Sequence, residues 1–271
     1  MRDFRDRVAV VTGAASGIGR ALSLALARRG AHLALVDLDE RGLGAVAEEV
    51  GALGRKASRH RADVADRARM EALPDEVLRE HGRVSFLANN AGVSVAGDFE
   101  DQSLDDFAWI VGINFWGVVH GCRFFLPHLR REPEAHIVNL SSMFGLVGIP
   151  GQISYCSTKF AVRGFSETLW TELRDTRIGV TCVHPGGVKT NIVRSTRNIA
   201  ADARARTVEM FDRMAMDPAR AAEQILRAVE RNRMRVTICR EAKISDWLKR
   251  AAPTATQRLV HRAIRRMGPI A

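Results

Sequence analysis

The sequence contains a single tyrosine, Tyr155, among 271 residues, and aromatic residues make up only 6% of the chain. Its four cysteines, Cys122, Cys156, Cys182 and Cys239, lack the paired spacing of a structural zinc site, so we expect reduced thiols and no metal. No uninterrupted run of 18 or more apolar residues could span a bilayer, and residues 1–5 lack the apolar stretch of a signal peptide. These absences predict a cytoplasmic protein.

Acidic residues are scarce only near the C-terminal end of the sequence. The formal net charge is +10, and residues 231–271 carry eleven Lys or Arg against two acids, a net charge of +9. The other 230 residues carry 30 basic and 29 acidic side chains and are nearly neutral. A charge confined to one segment argues against nucleic-acid binding by the whole domain and marks a separate basic tail.

Apolar runs alternate with helical patterns along the chain, which is typical of a parallel sheet with crossover helices. The predicted strands cover residues 8–12, 32–36, 58–62, 84–88, 136–140, 179–183 and 235–239. The predicted helices include residues 17–29, 67–81, 154–174 and 218–231, a helix that ends at residue 50, and a long helical region at 104–129 that ends near Pro127. The sequence thus predicts one α/β domain with a mobile insertion near residues 191–205.

A glycine-rich turn, Thr12-Gly-Ala-Ala-Ser-Gly-Ile-Gly19, follows the first predicted strand and leads directly into a helix. A helix N-terminus exposes unpaired backbone N–H groups, and glycines let a pyrophosphate approach them closely. The second strand is followed by Asp37, 24 residues after Gly13, where a carboxylate can accept hydrogen bonds from the ribose hydroxyls of a dinucleotide. An acid there repels the 2′-phosphate of NADP and Leu38 cannot bind it, so the sequence favours NAD. A solvated acid at a strand end is the alternative for Asp37.

Tyr155 and Lys159 are four residues apart, so the predicted helix places them on one face, about one turn from each other. A phenol ionises near pH ~10, and a nearby ammonium favours the phenolate and lowers its pKa. Tyr155 can then transfer protons, and Ser141-Ser142 supplies a hydroxyl beside it. A tyrosine that only fills space and serines that only form a turn are the alternative interpretation.

These motifs, in this order, resemble those of the short-chain dehydrogenase/reductase (SDR) family, in its compact NAD(P)-dependent branch. The resemblance rests on Thr12-Gly-x-x-x-Gly-x-Gly19, Asn89-Asn90-Ala91-Gly92, Asn114, Ser142, Tyr155-x-x-x-Lys159 and Pro185-Gly186. It implies a single-domain Rossmann fold with a seven-stranded parallel sheet and helices on both faces. The implied reaction is hydride transfer between a secondary alcohol and a ketone, with the nicotinamide cofactor supplying the chemistry.

The resemblance also implies catalytic roles for Asn114, Ser142, Tyr155 and Lys159. Tyr155 would be the general base in oxidation and the general acid in reduction, and Ser142 would donate a hydrogen bond to the substrate oxygen. Lys159 would lower the pKa of Tyr155 and bind the nicotinamide ribose. Asn114 would hold a water molecule that links Lys159 to solvent, although a residue that caps or bends a helix is the alternative.

Further contacts are implied by the same resemblance. The cofactor would be bound by Gly13, Ser16, Gly17, Ile18, Gly19, Asp37, Asp63, Val64, Asn90, Gly92, Tyr155, Lys159, Pro185, Val188 and Thr190. The substrate would contact Ser142, Phe144, Ile149, Gln152, Tyr155 and Gly187, under a lid at residues 191–216. The lid contains Ile192, Val193, Met210, Phe211, Met214 and Met216. These apolar side chains favour an alicyclic, steroid-like or lipid-like substrate, whereas a lid helix that packs on its own domain is the alternative.

The tail, residues 240–271, contains an amphipathic helical pattern with Leu259, Val260, Ala263, Ile264 and Met267 on one face and arginines opposite. Such a helix can lie on an anionic membrane surface, giving peripheral membrane association, or pack on a partner subunit. Solvated charge over a core-facing stripe is the alternative. The resemblance implies a homodimer or homotetramer.

Two alternatives to an NAD(H)-dependent oxidoreductase acting on CH–OH groups remain. The first is an NADP(H)-dependent carbonyl reductase in which Arg41 or the tail binds the phosphate. The second is a sensor or scaffold that binds a nucleotide without turnover, which the presence of all four catalytic residue types disfavours.

Overall fold

The structure is a computed structural model that describes residues 1, 3–199, 204, 205, 207–209, 213 and 215–267, with side chains up to residue 263. Its centre is a parallel sheet of β1 (Val8–Thr12), β2 (His32–Asp37), β3 (Ala57–Arg61), β4 (Phe86–Asn89), β5 (Ala135–Leu140), β6 (Ile178–Pro185) and β7 (Arg235–Ile238). The strand order is β3-β2-β1-β4-β5-β6-β7. Because helices cover both faces, the inner strands are buried throughout and appear in the sequence as continuous apolar runs.

Helices cover both faces of the sheet. In the described part of the chain they include α1 (Gly17–Arg28), α2 (Glu40–Ala52), α3 (Arg67–His81), α4 (Leu104–Val111), α5 (Gly117–Leu129), α6 (Ile153–Glu172), α7 (Pro218–Glu230), α8 (Arg240–Ala251) and α9 (Pro253–Met267). Side chains of α1, α2 and α7 share one hydrophobic cluster with the sheet, and those of α3, α5 and α6 share the other. This is the predicted doubly wound α/β fold.

The position of β1 determines where a ligand can bind. Strand β1 pairs with β2 on one side and β4 on the other, so the strand order reverses at this point. The loops that follow β1 and β4 therefore leave in opposite directions and open a crevice at the carboxyl end of the sheet. The glycine turn and the loop that begins at Asn90 form the two sides of this crevice.

Most predicted element boundaries lie within two residues of those observed, but the long helical region is interrupted. Residues Gly112–Trp116 form a π turn between α4 and α5. Pro127 lies inside the last turn of α5, which ends at Leu129, the predicted end of the region. A proline in the last turn removes one backbone hydrogen bond, and the full burial of Phe125 and Leu129 stabilises the turn despite this loss.

The stretch Leu104–Leu129 is also long and apolar enough, by length and composition, to count as a candidate membrane span. The mean hydropathy of an 18-residue window in this stretch is 1.2, although the window contains polar residues such as Asn114 and His120. A window can therefore have a high mean hydropathy without being an uninterrupted run of apolar residues. In the structure 44% of that window is buried, and α5 contacts β4, β5 and α3. These contacts are those of a core helix of a folded domain.

Candidate active site

The turn between β1 and α1 brings backbone atoms unusually close together. A Cβ on Gly19 would overlap the carbonyl oxygen of Gly13 and lie 2.8 Å from its carbon, so only glycine fits there. Asn90 holds the turn from the neighbouring strand, because its Nδ2 donates hydrogen bonds to the carbonyl oxygens of Thr12 (2.8 Å) and Gly13 (3.2 Å). Ser16 is the N-cap residue of α1, yet its side chain makes no capping hydrogen bond. The start of α1 therefore fits an anionic group such as a pyrophosphate.

Asp37 is held rigidly at the end of β2. Its Oδ2 accepts a hydrogen bond from the backbone N–H of Ala15 (3.0 Å), and its Oδ1 accepts from those of Leu38 (2.7 Å) and Asp39 (3.1 Å). Asp37 and Leu38 both line the cleft described next, whereas Arg41 is exposed on α2 and does not line it. The adenosine side of the cleft thus presents a fixed carboxylate and no cation from Arg41.

A cleft of about 580 Å³ follows the carboxyl ends of the strands and joins the glycine turn to the Tyr155 cluster. Every predicted cofactor-binding, substrate-binding and catalytic residue lines it except Gly19 and Asn114. Gly19 lies one turn inside α1, where its role is to allow close backbone contact. Asn114 lies behind the cleft wall and is fully buried. The fold therefore brings together residues that are up to 177 positions apart, from Gly13 to Thr190.

The first two turns of α6 place Tyr155 and Lys159 against the end of β5. The Lys159 Nζ atom donates a hydrogen bond to the carbonyl oxygen of Leu140 (3.0 Å) and lies 5.5 Å from the centre of the Tyr155 ring. The ring of Phe144 contacts the Tyr155 ring edge-on, with 5.9 Å between ring centres. The Ser142 Oγ atom accepts a hydrogen bond from the Phe144 backbone N–H (3.1 Å), so its own proton can be donated to a neighbouring oxygen.

The pKa values in this cluster correct one expectation from the sequence. Burial raises the pKa of Tyr155 to about 12, and the neighbouring Ser142 hydroxyl only partly opposes this rise. Burial also lowers the pKa of Lys159 to about 8. Removal of each charged form from water is the main cause of both shifts, and Lys159 donates its hydrogen bond to Leu140 and not to the phenol. Tyr155 is a protonated phenol at neutral pH.

Asn114 lies in the π turn. Its side chain forms hydrogen bonds with the backbone of Val93 and does not line the cleft. Its Oδ1 accepts a hydrogen bond from the Val93 N–H (2.8 Å), and its Nδ2 donates to the Val93 carbonyl (2.9 Å) and to the Thr158 hydroxyl (3.3 Å). A Cβ placed on Gly92 would lie 3.3 Å from Asn114 Oδ1 and 3.4 Å from Lys159 Nζ. Asn114 thus fixes the loop at Val93, and the space beside Gly92 lies next to both Asn114 Oδ1 and Lys159 Nζ. π turns are often found at functional sites.

Two side chains that the sequence analysis did not assign to the site hold the catalytic cluster in place. The hydroxyl of buried Ser141 donates to the Lys159 carbonyl oxygen (2.7 Å). His184 Nδ1 lies 3.0 Å from the Ser142 carbonyl oxygen, and because a carbonyl only accepts, this nitrogen carries the proton. A Cβ on Gly145 would lie 2.6 Å from the same Lys159 carbonyl oxygen, so glycine lets this loop lie on α6. Proximity to Pro185-Gly186 is the signal that could have identified His184.

The substrate end of the cleft is mainly apolar. The predicted residues Phe144, Ile149, Gln152, Ile192 and Val193 line it, together with Val93, Ser94, Ala96, Met143, Thr196 and Ile199, which the sequence analysis did not select. Among the polar groups at this end, Ser94 Oγ donates a hydrogen bond to Gln152 Oε1 (3.3 Å). This part of the cleft therefore favours an apolar ligand.

The beginning of the predicted insertion is tied to the rest of the domain. The backbone of Arg197 exchanges hydrogen bonds with Ser94 and Ala96 (3.0 Å each), and its guanidinium pairs with Asp106 (2.9 Å) and stacks on the Trp109 ring. Met216, a residue of the predicted lid, packs on the hydrophobic cluster near Val188 and does not line the cleft. Met210, Phe211 and Met214 lie outside the described residues.

Comparison with known proteins identifies the family. A family model described as short chain dehydrogenase matches residues 7–200. The chain belongs to the short-chain dehydrogenase/reductase family. This SDR chain is 42% identical to SadH of Mycobacterium tuberculosis, which is described as an oxidoreductase, over 99% of both chains. It is 32% identical to the 3-oxoacyl-[acyl-carrier-protein] reductase FabG of Thermotoga maritima, over 69% of this chain and 76% of FabG.

The same family relationship holds in three dimensions. The crystal structure of an SDR from Burkholderia phymatum in complex with NAD superposes with a TM-score of 0.87 and 32% sequence identity. The similarity covers 95% of this chain and 97% of that chain. The protein is therefore an oxidoreductase of the SDR family with that family's single-domain Rossmann fold.

Proposed function

We propose that this SDR enzyme interconverts a secondary alcohol and a ketone with NAD(H) as its cofactor. The observation that carries the proposal is that Ser142, Tyr155 and Lys159 share one cleft with the glycine turn and Asp37. A nucleotide site joined to a proton-donating cluster suits a reaction that moves a hydride and a proton between two molecules.

The residues of the cleft fit NAD. The uncapped start of α1 would bind the pyrophosphate, and Asp37 would accept hydrogen bonds from the adenosine ribose. Asp63 and Val64 would border the adenine, and residues of the loop that begins at Pro185 would hold the nicotinamide. When bound, NAD supplies the hydride acceptor or donor. The NAD complex of the Burkholderia phymatum relative supports this choice, and the fixed Asp37 carboxylate opposes the 2′-phosphate of NADP.

The proton moves through Tyr155. In the reduction of a ketone, the phenol donates its proton to the substrate oxygen, which the raised pKa of about 12 permits because the phenol is protonated at neutral pH. In oxidation the same oxygen accepts the proton from the alcohol. The free proton of Ser142 forms a hydrogen bond with the substrate oxygen and stabilises the charge that develops there. Charged Lys159 stabilises the phenolate that remains after proton donation.

The substrate that fits best is apolar, in the alicyclic, steroid-like or lipid-like class. The aromatic and branched side chains at the substrate end support this, as does the relationship to FabG, whose name states that it reduces a 3-oxoacyl group. The test offers polyols, cyclic alcohols, steroids and long-chain secondary alcohols as substrates and measures the turnover of each by NADH absorbance. Turnover of small polyols alone would refute the apolar class.

Substitution of the only tyrosine tests the reaction itself. Tyr155→Phe removes the transferable proton, so turnover should be lost while NADH binding, measured by fluorescence titration, is retained. Ser157→Ala changes an exposed hydroxyl two residues away and should leave both quantities unchanged. Retained turnover in Tyr155→Phe would refute the assignment of the acid and base.

The subunits are proposed to associate into a homodimer or homotetramer. Trp116 in the π turn and Phe160 on α6 are 50% and 38% exposed and are therefore available for contact with a second subunit. Sedimentation equilibrium at several protein concentrations would detect the assembly, and a monomer at all concentrations would refute it.

A further inference from the structure

The C-terminal helices α8 and α9 expose large apolar side chains to solvent. Trp247 is 68% exposed, Leu259 is 53% exposed and Ile244 is 47% exposed. The sequence analysis placed Leu259 on an apolar face, and in the structure this side chain is not covered by the domain. Exposed side chains of this size and type mark surfaces that bind a partner.

The same two helices carry cations that are not neutralised. Arg240, Lys243, Arg250, Arg258 and Arg262 are exposed, and none of them forms an ion pair with another described residue. The two acidic residues of α8, Glu241 and Asp246, form their contacts with residues outside the two helices. Asp246 pairs with Arg235 (2.8 Å), and Glu241 accepts a hydrogen bond from the Gly187 backbone N–H (2.8 Å). The outer surface of the helices is therefore strongly positive.

Each helix exposes apolar and cationic side chains next to each other. On α8, Lys243, Trp247 and Arg250 follow one another at i, i+4 and i+7, which places an aromatic ring between two cations. On α9, exposed Leu259 lies where the apolar face meets the arginines, next to exposed Arg258 and about one turn before exposed Arg262. A tryptophan or leucine flanked by basic side chains is typical of helices that lie in the interface of a bilayer.

The opposite side of the pair is anchored to the domain beside the cleft. Ala242 of α8 and Thr256 of α9 are buried. Gln257 Nε2 donates a hydrogen bond to the Gly148 carbonyl oxygen (2.6 Å), and Lys249 Nζ donates to Gln257 Oε1 (3.1 Å). Gly148 belongs to the loop that carries Phe144 and Ile149 into the cleft. The surface is therefore held next to the substrate end of the site.

We propose that the exposed face of α8 and α9 binds the surface of an anionic lipid bilayer. This inference goes beyond the proposed reaction. A second copy of the same face would be repelled by its like charge, and a nucleic acid would neutralise the arginines but leave Ile244 and Leu259 in water. An anionic bilayer can bind both the cations and the apolar side chains. Its lipid phosphates attract the cations, and its interface accepts the tryptophan and the aliphatic side chains. The substrate end of the cleft would then lie near the membrane.

Co-sedimentation of the full-length protein with lipid vesicles tests the proposal. Vesicles of phosphatidylcholine with phosphatidylglycerol should bind the protein, binding should weaken as salt is added, and vesicles of phosphatidylcholine alone should bind far less. Replacement of two cations, Arg258→Gln with Arg262→Gln, should lower the partition coefficient roughly thirtyfold. The matched control is Arg67→Gln with Arg79→Gln, two exposed arginines on α3, which packs against the strand at the other edge of the sheet.

Tryptophan emission supplies a second measurement. Wild-type emission should shift to shorter wavelength on addition of anionic vesicles, and Trp247→Phe should remove the shift. Equal binding by the α9 variant and the α3 control, or binding to duplex DNA with none to vesicles, would overturn the proposal. Circular dichroism of each variant shows that it is folded. Because vesicle binding does not depend on turnover, failure of the proposed reaction would leave this result intact.

Discussion

The pH dependence of the two reaction directions follows from the burial of Tyr155 and Lys159. Burial raises the pKa of Tyr155 to about 12, so its phenol is protonated below that pH, and it lowers the pKa of Lys159 to about 8, so its ammonium is lost above that pH. Oxidation needs the phenolate form of Tyr155, which accepts the proton of the alcohol, whereas reduction needs the protonated phenol and benefits from a charged Lys159. The rate of oxidation should therefore rise with increasing pH, and the rate of reduction should fall.

The size of the pH effect on each reaction rate follows from the two pKa values. With a Tyr155 pKa of about 12, the phenolate fraction at pH ~7 is on the order of one in 100,000, and it rises about tenfold for each pH unit. Oxidation should therefore rise with a slope near one throughout the range in which the protein is folded. Reduction should be constant at low pH and fall as Lys159 deprotonates near pH 8.

The assay follows NADH absorbance in both directions, with kcat and kcat/KM measured at each pH. Lys159→Met removes the titrating ammonium, so the fall in reduction near pH 8 should disappear while the rise in oxidation remains. Wild-type oxidation that reaches a plateau near neutral pH would refute the reasoning, because it would show that Tyr155 has a lowered pKa.

Three further substitutions test the parts of the site separately. Gly19→Ala places a Cβ on the Gly13 carbonyl oxygen and should weaken NADH binding at least about tenfold in a fluorescence titration, since the turn must open to accommodate it. Asp37→Ala removes the carboxylate beside the adenosine ribose and should shift the ratio of kcat/KM values for NAD and NADP towards NADP by about tenfold or more. Gln257→Ala removes the hydrogen bond to the Gly148 carbonyl and should raise the KM for substrate several-fold with little change in the KM for NADH, because Gly148 belongs to the loop at the substrate end of the cleft.

Each of these substitutions has a control or an opposing outcome. Gly51→Ala adds the same methyl group to α2 in open space and should leave NADH binding unchanged. An unchanged ratio of NAD to NADP activity in Asp37→Ala would show that Asp37 does not select the cofactor. A rise in both KM values in Gln257→Ala would indicate general loosening of the domain instead of a role for this loop.

Local sequence pattern determined most of the fold and the identity of the chemical groups. Strands such as β1 and β5 are buried on both faces, so their apolar runs were recognisable without knowledge of their neighbours. The four-residue interval between Tyr155 and Lys159 and the glycines of the first turn are likewise local features. Periodicity and turn chemistry depend on residues a few positions apart, which is why they could be predicted.

Tertiary structure alone decided the properties that depend on distant contacts. The raised pKa of Tyr155 results from partial burial of its side chain in the cleft, and no local spacing predicts how far water is excluded there. Asn114 binds Val93 because a π turn directs it there, although its sequence resembles that of an ordinary helix. The exposure of Trp247 and Leu259 also depends on which helix faces the domain covers. Burial and electrostatics arise from the whole packed chain, so only the folded structure shows how these groups act.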